Sequence, residues 1–187
     1  MVKKNCCVFI SGNGTNLNAL IKNSRSYIFP INIKLIISNR KNARGLDLAK
    51  KFSIPYKIIN MKKNLFENEL MKEILYRKIS IICLAGFMKI LSDKFIKNFN
   101  GKILNIHPSL LPKYKGLNTF EKIIKNKETL TGCTVHYVNK NLDGGKILLK
   151  KSFEIFKKDD INKLKSKTQK LEHQAFSEAI INLYRMN

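Results

Sequence analysis

An amide and an imidazole stand two residues apart at Asn105 and His107, Pro108 follows directly, and a carboxylate comes later at Asp143, just before Gly144-Gly145. Side chains alternate along a strand, so Asn105 and His107 share one face and Pro108 ends the strand beside them. An amide donor, an imidazole and a carboxylate suit a reaction in which a carbonyl oxygen becomes negative and a proton changes hands. If Asp143 reaches His107, the carboxylate favours the imidazolium and raises the histidine pKa, and the charged ring joins Asn105 in holding an oxyanion. The same residues permit a plainer reading, with His107 a satisfied structural histidine and Asp143 part of an Asx turn. Metal binding by His107, His136 and Asp143 is a third reading, but no pair has ligand spacing such as HxxxH or CxxC, and no metal is expected. Ser109 lacks the GxSxG elbow of a serine nucleophile, and His136 and His173 read as packed or solvated.

The elements that must position these groups follow from the hydrophobic pattern. Cys6 to Ile10, Ile33 to Ile37, Tyr56 to Ile59 and Ile79 to Leu84 read as strands, the last apolar throughout, as expected when both faces are covered. Between them lie helical stretches from about Thr15, with Leu17, Leu20 and Ile21 on one face, from Leu46 to Phe52, and around Leu65, Leu70, Ile74 and Leu75. A helix from about Ser92 to Phe99 then precedes a strand from Lys102 to Ile106. This alternation predicts an α/β fold with a mostly parallel sheet and helices on both faces. Strands from about Gly132 to Val138 and Ile147 to Phe153 break the alternation and add antiparallel pairing, and a last amphipathic helix spans about Asp160 to Tyr184. One domain is expected, with ligands beyond the carboxyl ends of the strands.

Ser11-Gly12-Asn13-Gly14-Thr15-Asn16 lies between the first strand and its helix, where free backbone N–H groups and the positive helix end suit a phosphate. A tight turn without a ligand is the alternative. As a dinucleotide fingerprint the segment is incomplete: Leu17 stands where the third glycine belongs, and Ser38-Asn39-Arg40 offers no acid for a ribose diol. Arg40 keeps a 2′-phosphate open, but a single phosphate fits better than a pyrophosphate.

The 36 Lys+Arg against 13 Asp+Glu give the chain a formal charge of +23, which raises nucleic acid as a partner. Only five of the basic residues are Arg, the residue that base and phosphate recognition favours, and the lysines are spread rather than clustered. A codon-driven Lys excess explains this better than a dedicated nucleic-acid surface, and the field still draws anions toward any cleft. Cys6, Cys7, Cys83 and Cys133 lie in apolar runs without a CxxC pair, which fits buried thiols in a reducing compartment rather than a catalytic cysteine. With no signal peptide and no apolar stretch of membrane-spanning length, the expectation is a soluble cytoplasmic protein.

At Ile10 to Leu17, Leu84 to Leu91, Asn105 to Tyr114, Gly132 to Val138 and Leu142 to Gly145 the chain resembles the folate-dependent formyltransferase family that acts on phosphoribosylglycinamide. The resemblance covers nearly the whole chain, and its segments are specific in combination. It implies one Rossmann-like formyltransferase domain over residues 1–187, phosphate-binding in its N-terminal half and catalytic and folate-binding in its C-terminal half. It also implies 10-formyltetrahydrofolate as formyl donor, a phosphorylated amine as acceptor, small-molecule partners, and a monomer or homodimer. Asn105, His107 and Asp143 match the family's catalytic positions. Gly14, Thr15 and Asn16 match its phosphate loop, and Gln169 and Glu172 match positions that touch the substrate's sugar and glycinamide. Met88, Lys89, Ile90 and Leu91 match the folate wall, with Asn105 beside it. Lys63 and Lys89 stand where the family often has Arg, which keeps the charge but loses the fork. A related methionyl-tRNA enzyme carries a C-terminal barrel and a formyltetrahydrofolate hydrolase an extra N-terminal domain, neither of which is expected here.

Overall fold

The apolar runs become one seven-stranded sheet in the computed structural model, which describes residues 2–59 and 66–185. The strands are β1 (Lys4–Ile10), β2 (Ile31–Ser38), β3 (Tyr56–Ile58), β4 (Ile81–Leu84), β5 (Lys102–His107), β6 (Leu130–Tyr137) and β7 (Ile147–Glu154), in the order β3-β2-β1-β4-β5-β6-β7. β1 to β5 run parallel, β6 is antiparallel to β5, and β7 is antiparallel to β6. The α/β class, the mostly parallel sheet and its antiparallel additions are as the sequence implies.

The helices are α1 (Thr15–Ser24), α2 (Gly45–Lys51), α3 (Phe66–Tyr76), α4 (Asp93–Asn98), α5 (Thr119–Lys125) and α6 (Ile161–Arg185). Period-2 alternation divides the core. Cys6, Val8 and Ile10 face a cluster completed by Leu17, Leu20 and Ile21 of α1, Leu46 and Ala49 of α2, and Phe176 and Ile180 of α6. Cys7 and Phe9 face the opposite cluster, with Leu70 and Ile74 of α3 and Phe95 of α4. Neighbouring cysteines thus enter different cores, and burial on both faces explains why the central strands are continuously apolar. Leu75, by contrast, is exposed. Ser92 is a cap rather than the first helical residue: its Oγ accepts the Phe95 N–H at 3.0 Å.

α5 has no counterpart among the expected elements. It is seven residues long and buries only Thr119 and Ile123, too few apolar positions to write a helical period into the sequence. Its place matters, because it stands beside the carboxyl end of β5.

From β1 the chain builds outward through β2 to β3, then returns across the sheet to β4. The strand order therefore reverses between β1 and β4, where α/β sheets open a crevice at their carboxyl edge. Three segments meet that edge: the loop after β1, the Gly86–Leu91 segment after β4, and the end of β5.

Candidate active site

β5 presents Asn105 and His107 on one face, and the antiparallel register with β6 sets His136 opposite Asn105 and Thr134 opposite His107. Asp143 arrives from the β6–β7 connection with a left-handed backbone, φ 46°. Gly145 makes this approach possible, since a Cβ there would lie 1.7 Å from the Tyr137 carbonyl oxygen. One carboxylate oxygen, Asp143 Oδ2, lies 3.2 Å from His107 Nδ1 and accepts the Gly116 N–H at 2.9 Å. The other, Oδ1, is 3.4 Å from Asn105 Nδ2 and 3.6 Å from His136 Nε2. The structure thus brings Asn105, His107 and Asp143 together around one carboxylate.

The electrostatics differ from the expected scheme in one respect. Burial is the largest influence on His107 and holds its pKa below the ordinary histidine value. The Tyr114 carbonyl and Asp143 both favour the imidazolium but do not outweigh the lost hydration. Asp143 thus reaches the ring and pushes its pKa upward as expected, but the expected net rise is corrected: desolvation outweighs the carboxylate. Burial also works against charge on Asp143, but the neighbouring His136 and His107 rings and the Gly116 N–H prevail, and its pKa lies below the usual carboxylate value. At neutral pH both directions favour a charged carboxylate beside an uncharged imidazole.

Both ring nitrogens of His107 face acceptors, because Nε2 is 2.8 Å from the Tyr114 carbonyl oxygen. Tyr114 is itself left-handed, φ 57°, and its side chain is tied down: Oη donates to Glu128 at 2.6 Å and accepts from Asn126 at 2.9 Å.

His136, expected to be packed or solvated, is packed within the site itself. Its Nε2 lies 3.1 Å from Asn105 Nδ2 and its Nδ1 2.8 Å from the Tyr137 carbonyl oxygen. The signal was its position in a strand antiparallel to β5, which becomes visible only when the register is known.

A cleft of about 550 Å³ opens beside these groups. Met88, Lys89, Ile90 and Leu91 line it together with Asn105, His107 and Asp143, so the proposed folate wall and the polar trio share one cavity. Leu91 is buried, whereas Met88 and Ile90 are exposed at the rim, with Leu117 and Leu142 across from them. An apolar wall beside a few convergent polar groups is what a ring system with a reactive polar substituent requires. Lys63 lies outside the described residues, as does Leu65.

The glycine loop lies apart from that lining but is wired to it. Ser11 Oγ donates to Asn39 at 2.6 Å and accepts the Met88 N–H at 2.8 Å. Gly14 is left-handed, φ 74°, and a Cβ there would stand 2.7 Å from Gly45 Cα. Both the turn and the approach of α2 therefore require glycine. Leu17, where a dinucleotide fingerprint has its third glycine, is fully buried. Asn16 donates from Nδ2 to Glu172 Oε2 at 2.8 Å, and its Oδ1 is buried without a partner. Withdrawal from water raises the pKa of Glu172, against the Asn16 hydrogen bond. Gln169, on the same helix, is exposed. The structure thus joins Asn16 to Glu172 and leaves Gln169 at the surface nearby.

The four cysteines are buried and unpaired. Burial pushes the Cys6 and Cys7 thiols well up and Cys133 to about 12, unsuited to a thiolate nucleophile. Among the described residues no group of three His, Cys, Asp or Glu is arranged to hold a metal ion, and no helix is long and apolar enough to cross a membrane.

The fold is a Rossmann-like sheet with a histidine–carboxylate pair at its carboxyl edge and a glycine loop beside it. The chain belongs to the formyl transferase family, whose match covers residues 4–180. It is 42% identical over 177 residues to phosphoribosylglycinamide formyltransferase of Haemophilus influenzae, covering 92% of this chain and 84% of that one. It is also 41% identical over 182 residues to the trifunctional purine biosynthetic protein adenosine-3 of Homo sapiens, covering 95% of this chain but only 18% of that much longer protein. The structure of phosphoribosylglycinamide formyltransferase from Coxiella burnetii superposes with a TM-score of 0.90 at 39% identity, covering 96% of this chain and 86% of that one.

Proposed function

We propose that this protein transfers the formyl group of 10-formyltetrahydrofolate to the amine of phosphoribosylglycinamide, a step of purine synthesis. The observation that carries the reading is the meeting of Asn105, His107 and Asp143 in the cleft walled by Met88–Leu91. The names of the relatives support it, as does the phosphate-type loop at Gly14, Thr15 and Asn16 on the same sheet edge. In this reading Lys63 and Lys89 meet the folate, Gln169 and Glu172 meet the sugar and glycinamide, and the enzyme works in the cytoplasm as a monomer or homodimer.

The residues divide the chemistry among them. A bond forms between the acceptor nitrogen and the formyl carbon while the carbon–nitrogen bond to the folate breaks. Asn105 Nδ2 keeps one N–H on His136, and its second N–H exchanges its long 3.4 Å contact with Asp143 for the developing oxyanion. His107, neutral at rest, takes up the proton that the attacking amine releases and delivers it to the departing nitrogen. Asp143 stabilises the ring while it is charged. Exchange through Nε2 requires the Tyr114 carbonyl to be displaced from the ring.

The test is to incubate the protein with 10-formyltetrahydrofolate, with and without phosphoribosylglycinamide, and follow the absorbance of the deformylated folate. It should rise only with the amine present. Release of formate without amine supports a hydrolase instead, and no turnover in either arm removes the assignment. His107→Ala and Asp143→Ala should keep KM near wild type and lose about 10²–10³ in kcat.

A further inference from the structure

We propose that His136 is a positioning residue that aims the Asn105 amide at the reacting carbonyl. The inference rests on the formyl-transfer reading above and adds a residue that the trio does not contain.

His136 Nδ1 lies 2.8 Å from the Tyr137 carbonyl oxygen, which can only accept, so the ring proton belongs on Nδ1. Nε2 then carries a lone pair, and the 3.6 Å gap to Asp143 Oδ1 is too long for a competing hydrogen bond. The group that answers this lone pair is Asn105 Nδ2 at 3.1 Å. Turned over, the amide would set its oxygen against that lone pair and against the Asp143 carboxylate, two acceptors at once. The His136 tautomer and the Asp143 charge therefore select one amide orientation, with NH₂ rather than C=O in the cleft. One proton goes to Nε2, and the other makes only the long 3.4 Å contact to Asp143 Oδ1, which an incoming oxygen can replace. His136 is 2% exposed and sits opposite Asn105 in the β5–β6 ladder, so burial and strand register hold the ring against the amide.

A merely structural histidine would show different behaviour. His136→Leu should lower kcat on the order of 10–100-fold, with KM for both substrates within about 2-fold of wild type. In an Asn105→Ala background the same change should cost less than about 2-fold more, because the residue it aims is gone. His136→Gln, whose amide oxygen can accept the same N–H, should recover most of the activity lost in His136→Leu. Additive losses in the double variant, a raised KM, or wild-type turnover in His136→Leu would overturn the proposal. If His136→Leu does not fold, the wild-type protein still decides: ¹⁵N NMR of the imidazole should show the Nδ1–H tautomer, and an Nε2–H tautomer sinks the idea. Absence of turnover in the wild type instead removes the formyl-transfer reading, so the two failures are distinguishable.

Discussion

Glu172 ties the stability of the fold to pH through a single carboxyl group. Its carboxyl is withdrawn from water with one hydrogen bond, from Asn16, and its folded pKa lies above the ordinary 4.5. Between 4.5 and that raised value the folded chain binds more protons than the unfolded chain, so this residue makes stability fall as pH rises through the window. Glu172→Gln removes the charge and with it the fall. Thermal unfolding should show the variant gaining on wild type from pH 4 to pH 7, with a raised KM for the amine substrate; a parallel pH dependence in the two proteins contradicts this. His107 acts with the opposite sign. Its folded pKa lies below the ordinary 6.5, so stability from this group is present above 6.5 and is lost as pH falls from 6.5 through the folded value. The expectation of a raised His107 pKa failed because a sequence names the charged partner but not how much water the fold removes.

At the scale of elements, the loop between β1 and α1 was legible because its first requirement is local. Gly14 must be left-handed at φ 74°, and residues other than glycine pay for that conformation. The second requirement, the approach of Gly45, is tertiary. Gly14→Ala meets both penalties, the strain alone costing on the order of 1–3 kcal/mol. The variant should unfold at lower temperature and show a higher KM for the phosphorylated substrate with the folate KM nearly unchanged. Equal rises in both KM values would count against a phosphate role for this loop. Elements with weak local signals were not legible. α5 buries two residues and was not foreseen, although Gly116, just before it, donates to Asp143. For His136 the sequence suggested packing but not its partner: only the β5–β6 register shows that it faces Asn105.

For the whole molecule, a charge of +23 surrounds a cleft proposed to take two anionic substrates. Such a field speeds encounter more than it changes the chemistry, and salt screens it over about 10 Å at 0.1 M. Raising NaCl from 20 to 500 mM should therefore lower kcat/KM by about 10-fold or more while leaving kcat within about 2-fold. A fall in kcat of the same size would place the lysines in the chemical step instead. By itself the sequence determined whatever depends on neighbours along the chain: the strand period that puts Asn105 and His107 on one face, the turn glycines, the alternation that makes a parallel sheet, and the family. The tertiary structure alone decided how Asp143 reaches His107, that His136 lies 3.1 Å from the Asn105 amide, and that burial holds the His107 pKa down. Each of those depends on distances and lost hydration summed over segments far apart in the chain, which no local pattern of residues encodes.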